Sequence, residues 1–519
     1  MNVTRTQTEP AAGRARRPGP ALAALAAAQF TVMLATSIVN VALPRIRSGV
    51  GLSDAGTTWV VNAYGLAFGA LLLAGGRAAD LLGRRRVLGA GLALFAAASL
   101  AAGLATASSL LIGARAVQGL AAASIAPAAL ALAMEQYPSG SGRGTALGVW
   151  GAVSGAGGAG GVLLGGVLTQ AWGWPWIFHS VALGAVVVLA AVVALVPRTD
   201  GRAAEPKAGR TAGRDPERTA GRAGRTAGRF DLPGTATVTL ALTCLVWALT
   251  TARGAGWSDG RVVGALGAAA VLLTAFAVIE LRRPDPLLPP RLLTTGRVAT
   301  GNLLMALLGS VWIALFFFLP LYQQQVLGSG PLATGAGQLP LAAANMLGAA
   351  LAPRVSRRIG PTTTAVAALL TEAVGLLWLS RIGADGGYVT DVLGPSILIG
   401  LGLSTAFVQL TALAVEGVPP RDAGLAGGLV NTTRQVGGAI GLAVLTTLAG
   451  SVTTRAAAHQ APLEALTAGY RTAFAVSAAV LTATAGLALL LTRRTRPKGA
   501  AASPGRAPGH REPRARQAA

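Results

Sequence analysis

Apolar residues run along this chain in stretches of about 20 that carry few or no charges, and roughly fourteen such stretches can be counted. A hydrocarbon core ~30 Å thick needs ~20 residues to cross as a helix. Inside lipid every backbone N–H and C=O must be satisfied within the segment, so each run reads as a helix rather than a strand. The pattern predicts an all-α transmembrane protein with spans near 21–43, 58–75, 87–107, 110–133, 145–170, 176–196, 234–252, 261–280, 300–321, 331–352, 362–382, 393–415, 423–450 and 468–491. The first run follows Arg14, Arg16 and Arg17, as a secretory signal would, but its length and the runs behind it favour a retained helix.

Polar breaks divide the runs into six, two and six. Residues 1–20 form a basic tail, 21–197 an N-terminal six-helix bundle, and 198–231 a basic loop. Residues 232–283 carry two accessory spans, 284–296 a linker containing Pro284-Asp285-Pro286, 297–492 a C-terminal six-helix bundle and 493–519 a second basic tail. Loop and tail are expected to be disordered: Thr-Ala-Gly-Arg recurs at 211–214, 219–222 and 226–229 without apolar periodicity.

Charge fixes the expected orientation. The net charge of +24 invites a nucleic-acid reading, but about half of the 43 basic residues lie in the two tails and the loop 198–230. Arg84–Arg86, Arg282, Arg283, Arg291, Arg354, Arg357 and Arg358 fall on the same side as these, while 105–109, 171–175 and 322–330 have neither Lys nor Arg. This is the positive-inside pattern, with both termini in the cytoplasm. It argues against nucleic acid and for anionic lipid heads as neighbours. The predominance of Arg, Ala and Gly points to GC-rich, bacterial coding. Cys244 is the single cysteine, so no disulfide can form within the chain. No Walker loop or metal-ligand spacing occurs, and three histidines and scattered acids supply no hydrolytic set. An enzyme is not expected, nor any cofactor.

Several polar residues stand where they carry chemistry. Gly76-Arg77-Ala78-Ala79-Asp80-Leu81-Leu82-Gly83-Arg84-Arg85-Arg86 lies between spans 2 and 3, and reads either as topology charge around a tight turn or as a gating loop. Arg115 and Gln118 fall inside span 4. A central Arg costs ~2.5–3.5 kcal/mol on insertion, so it either faces a cavity or partner or snorkels from near the span's end. Gly157, Gly161, Gly165 and Gly166 form a small-residue stripe in span 5, which close helix packing alone would also explain.

These segments resemble the major facilitator superfamily, and within it the fourteen-span drug:proton antiporters. The loop matches the family's Gly-x3-Asp-x2-Gly-Arg-Arg pattern. The span-5 stripe is similar to the antiporter signature, with Val162 where the family has Pro. Trp59-Val60-Val61-Asn62-Ala63-Tyr64, Leu321-Tyr322 with Gln324-Gln325-Val326-Leu327-Gly328, and the run Ala426 to Gly438 also match. The resemblance implies two six-helix bundles plus two accessory spans, and alternating access about a midplane site. It implies secondary export of a small organic molecule in exchange for protons, by a functional monomer of the cell membrane. Gly76, Asp80, Gly83, Arg84, Arg85 and the span-5 glycines would gate, with Asp80 facing the start of span 13 near Gly424 and Leu425. Arg115 would serve proton coupling, and Asn40, Asn62, Tyr64, Gln118, Gln324, Asn431 and Arg434 would line the substrate cavity. An exporter of an endogenous metabolite, or a non-transporting membrane scaffold or receptor, stays open.

One departure moves the coupling question. Leu34-Ala35-Thr36-Ser37-Ile38-Val39-Asn40 has Ala35 where the family carries an Asp. Glu372, in the middle of span 11, is the replacement candidate, since an ionised carboxylate there is costly; a neutral Glu bonded to a neighbouring helix is the plain alternative. His179 follows Trp172, Trp174 and Trp176 and is expected, like them, at the membrane interface.

Overall fold

The structure is a computed structural model that describes residues 19–137, 141–197, 232–283, 290–294, 297–418 and 423–494. Among these residues it is helical throughout. The long helices are α1 (Pro20–Val50), α2 (Asp54–Leu82), α3 (Arg84–Gly103), α4 (Ser108–Gln136), α5 (Ser141–Ala171), α6 (Pro175–Leu195), α7 (Leu232–Ala255) and α8 (Gly260–Arg282). They continue with α9 (Val298–Gln325), α10 (Leu339–Ile359), α11 (Pro361–Leu379), α12 (Gly394–Ala414), α13 (Ala423–Ala456) and α14 (Pro462–Arg494). By length and composition, 11 helices are apolar enough to cross a membrane, or up to 12 if the bent segments of α2 form one span. The chain is a multi-pass membrane protein. The tail and loop expectations for 1–18, 198–231 and 495–519 lie outside the described residues.

Local sequence sets the helix ends. Ser53 caps α2 by accepting from the Gly56 N–H at 3.0 Å, which satisfies one of the first-turn donors. Prolines stand in the first turn of α1, α6, α10, α11 and α12, where the missing N–H costs nothing. The run predicted as one span at 331–352 is split instead: a short helix Pro331–Gly337 ends at Gln338 and α10 begins at Leu339. Pro340 brings no N–H to the join, which lets the backbone break there.

Two turns need glycine. Gly83, at φ +97°, is the whole connection between α2 and α3. Gly360, at φ +84°, is the whole connection between α10 and α11. A side chain at either φ would be strained, and both turns carry arginines beside them.

That match extends to the packing. Within the first bundle α1 packs on α5, α2 on α4, and α3 on α4 and α6. Within the second, α9 packs on α13, α10 on α12, and α11 on α12 and α14. Each helix has its counterpart eight positions on, so the two bundles repeat one another. Close approach is also repeated. A Cβ on Gly157 would meet Met33 Cβ at 2.8 Å and the Phe30 carbonyl at 2.9 Å, and one on Gly165 the Ile38 carbonyl at 2.5 Å, all on α1. In the second bundle Gly437 and Gly441 lie as tightly against Ala306 and Ser310 of α9.

The accessory helices take separate places. α7 lies over the seam between α2 and α13, through a cluster of Leu66, Ala70, Leu242, Val246, Ala439 and Ala443. Thr447 donates to the Leu249 carbonyl across the same seam at 2.9 Å. α8 packs on α7 and leaves Val263, Val271 and Leu281 exposed, as a lipid-facing helix would.

Candidate functional site

The two bundles meet along α1, α2, α9 and α13 and at the end of the molecule that bears Trp174. Gln324 Nε2 of α9 donates to the Val41 carbonyl of α1 at 2.7 Å. A Cβ on Gly166 of α5 would lie 2.5 Å from the Pro331 carbonyl, and one on Gly335 would lie 2.9 Å from the Val162 carbonyl. Gly166 therefore differs from Gly157, Gly161 and Gly165, which face α1 inside their own bundle. Nearer the middle, Asn62 Nδ2 of α2 reaches the Ala439 carbonyl of α13 at 3.4 Å, and Gly69 admits the stem of Gln435.

The other end is built differently. Arg84 bridges three elements: its Nε and Nη2 donate to Asp80 at 3.1 and 2.9 Å, and its Nη1 to Glu135 of α4 at 2.5 Å. Arg85 donates to the Val193 carbonyl at the end of α6 at 2.8 Å. Gly76 lies against Pro127 of α4. Asp80 is exposed and is held by Arg84 of its own turn. Gly424 and Leu425, expected opposite Asp80, lie in the first turn of α13, and the side chain of Leu425 lies outside the described ones.

Arg115 is fully buried, which removes the snorkelling alternative. Its Nε donates to the Val60 carbonyl at 3.0 Å, and its Nη1 to the Ala35 carbonyl at 3.3 Å and to Gln118 Oε1 at 2.5 Å. The guanidinium lies over the Tyr64 ring, 4.3 Å from its centroid. Gln118 in turn donates to Ser99 at 2.7 Å, and Tyr64 donates to the Val32 carbonyl at 3.1 Å. The group ties α1, α2, α3 and α4 together. Gln118 is thus packed inside the first bundle and orients Arg115. The methyl of Ala35 leaves this cation with carbonyls and an amide as partners.

A second cation occupies the other bundle. Arg434 of α13 is partly exposed, donates from Nη2 to Asn431 Oδ1 at 2.7 Å, and lies 5.1 Å from the centroid of Trp312 on α9. Trp312 meets Phe407 of α12 edge-on at 5.5 Å. Sequence reasoning found Arg434 and Asn431 but not the aromatic pair. Trp312 is the one tryptophan of its run, and that was the available signal. Asn40 is buried with its Oδ1 unpartnered among the described residues.

Glu372 stands apart from both arginines. It is fully buried on α11, which packs on α12 and α14, and both its carboxyl oxygens lack a hydrogen-bond partner among the described residues. Gly402 of α12 lies directly against it: a Cβ there would be 2.6 Å from the Glu372 nitrogen. An ionised carboxylate without partners is costly in such a place. His179 is a packing residue, its ring set against Gly103 and edge-on to Trp176 at 5.7 Å. Among the described residues no group of acids, histidines and cysteine is arranged to hold a metal.

Comparison with known proteins matches residues 25–442 to the family model of the Major Facilitator Superfamily. The chain is 40% identical over 481 residues to a puromycin resistance protein of Streptomyces alboniger, covering 91% of this chain and 90% of that one. It is 39% identical to a cephamycin export protein of Amycolatopsis lactamdurans, covering 86% and 89%. It is 35% identical to a tetracenomycin C resistance and export protein of Streptomyces glaucescens, covering 85% and 78%. Among solved structures, an auto-inhibited peptide transporter of the POT family superposes with a TM-score of 0.67 over 93% of this chain and 99% of that one, at 15% identity.

Proposed function

The chain belongs to the Major Facilitator Superfamily, and from that premise we propose that it exports an antibiotic-like small organic molecule across a bacterial cell membrane by alternating access. The bundles rock about the seam formed by α1, α2, α9 and α13. The observation that carries this reading is the distribution of contacts between the repeated bundles. They close on one another at the Trp174 end through Gln324, Gly166 and Gly335. Asp80 at the opposite end remains exposed. Such an arrangement is one half of an alternating cycle. All fourteen long helices span the membrane in this reading. α10 is less apolar than its neighbours because three arginines occupy its last turns. The arginine-rich end, with both termini, faces the cytoplasm, so the described conformation opens inward.

We take protons as the driving ion and Glu372 as a carrier, with the protein working as a monomer and without a cofactor. One charge moving down 100 mV releases ~2.3 kcal/mol, enough for a roughly 50-fold gradient at one-for-one exchange. The test is accumulation of candidate antibiotics in an efflux-deficient host, with and without an uncoupler. Lower accumulation that the uncoupler abolishes supports proton-driven export. Equal accumulation with and without the protein, across a panel spanning cationic, neutral and anionic compounds, refutes export.

A further inference from the structure

The seam between the bundles carries positive charge with no carboxylate beside it among the described residues. Arg434 stands in the first half of α13, partly exposed, with the amide of Asn431 as its side-chain partner and the indole of Trp312 beneath it. Arg115 is buried within the first bundle, behind the Tyr64 ring, bonded to two carbonyls and an amide. The described acids lie elsewhere. Asp54, Asp80, Glu135, Asp259, Glu416 and Glu464 sit at helix ends, and Asp385 and Asp391 lie in the connection between α11 and α12. Glu372 is enclosed on the outer helix α11 against α12, and Glu280 is in the last turns of the accessory helix α8. At the position in α1 nearest Arg115 the residue is Ala35, whose carbonyl that arginine occupies.

A guanidinium in this position is hydrated while the cavity is open. When the bundles close over it, water leaves and the local dielectric falls, so an unanswered charge opposes closure. A ligand oxyanion would answer it. Guanidinium binds a carboxylate through two parallel N–H···O bonds, and the pairing strengthens as water is excluded. The indole of Trp312, with Phe407 edge-on behind it, offers an apolar face beside that charge for a flat ring to stack on. A cation in the same place would meet the like charge of Arg434.

We propose that the transported molecule is an organic anion: a carboxylate or related oxyanion that pairs with Arg434, carried on a flat apolar ring system that packs against Trp312 and Phe407. The proposal rests on the export reading above and adds its substrate class. Pairing with the anion answers the Arg434 charge as the loaded cavity closes.

Fluorescein and rhodamine 123 share a tricyclic ring system and differ in charge, the first an anion and the second a cation. Their export is measured from preloaded, efflux-deficient cells expressing the full chain, with an uncoupler control. Wild-type protein is expected to export fluorescein at least tenfold faster than rhodamine 123. Arg434→Gln should reduce fluorescein export at least tenfold, and Arg434→Lys should retain the preference for the anion with weaker affinity. Folding is controlled by melting temperature, and for the wild type by fluorescein binding to purified protein, which benzoate should displace and methyl benzoate should not. Faster export of rhodamine 123, equal displacement by acid and ester, or folded Arg434→Gln that exports fluorescein normally would each overturn the proposal. Export of a cationic antibiotic without fluorescein would overturn the anion class and leave the export reading standing. No export of any charged or neutral probe would overturn both.

Discussion

Gly166→Ala should shift the protein away from the conformation described here, while leaving its bundles intact. The added methyl would stand 2.5 Å from the Pro331 carbonyl oxygen and 3.2 Å from Leu332 Cα, against an ordinary C···O contact of ~3.3–3.6 Å. Both partners are backbone, so neither can rotate aside. Overpacking of this kind costs ~1–3 kcal/mol. Pro331 belongs to the second bundle and Gly166 to the first, so the cost falls only on the state in which this end is closed. Alanine also stabilises α5 as a helix by ~1 kcal/mol relative to glycine, but it does so in both states and cancels. The closed-to-open ratio at the Trp174 end should therefore fall by roughly 5- to 150-fold. Spin labels on Ser48 of the first bundle and Ser329 of the second, in a Cys244→Ser background, report the separation of that end by pulsed electron resonance. The parent should give a short distance, and Gly166→Ala a second, longer population. Gly157→Ala is the control. Its methyl would meet Met33 and Phe30 of α1, so it should lower the melting temperature and leave the distances unchanged. An unaltered distance distribution in Gly166→Ala, or the same shift in Gly157→Ala, would refute the reasoning.

Glu372→Gln keeps the volume and neutrality of the buried acid but cannot release a proton. It should abolish uphill export in proteoliposomes under an imposed pH gradient and preserve downhill exchange, whereas normal substrate-dependent proton flux would show that Glu372 is only a packing residue. Arg115→Lys presents a point charge to a site built for a planar fork. Loss of even one charged hydrogen bond, worth ~1.5–3 kcal/mol, should lower the melting temperature and slow export more than tenfold. An Arg115→Lys protein with wild-type melting and export would refute the bridging role. Asp259 caps α8, and its carboxyl is held below the ordinary carboxylate range mainly by the Arg261 backbone N–H. The cap therefore stabilises the first turn above the pKa of free aspartate, ~3.9, and is lost as pH falls through its own lower value. Hydrogen exchange at residues 261–263 should be faster in Asp259→Ala than in the parent at pH 7, and the difference should shrink in acid. Equal protection at pH 7 would refute the cap.

The sequence by itself determined the elements and their grouping. A membrane span must bury its own hydrogen bonds over a fixed thickness, so length and apolarity suffice to locate helices such as α9 and α14 without tertiary information. Glycine at a turn is equally legible: Gly83 stands between two arginine-flanked runs, and its φ of +97° is what that residue type permits. The resemblance carried by the Asp80 loop and the span-5 stripe named the superfamily from a few positions. Helical periodicity does not say which neighbour a face meets, and there the tertiary structure decided. Gly161, Gly165 and Gly166 read as one stripe, yet Gly166 turns to the other bundle while the rest turn to α1. Gln118 and Arg434 looked alike as polar residues within apolar runs. Packing enclosed the first beneath Arg115 and Ser99, and left the second beside Trp312 on α9. Glu372 read as a mid-span acid without an assigned neighbour. α11 turned it toward Gly402 of α12, because only glycine there lets those two helices approach so closely. Pairing among helices distant in sequence depends on side-chain shape across interfaces, which one chain's periodicity does not encode.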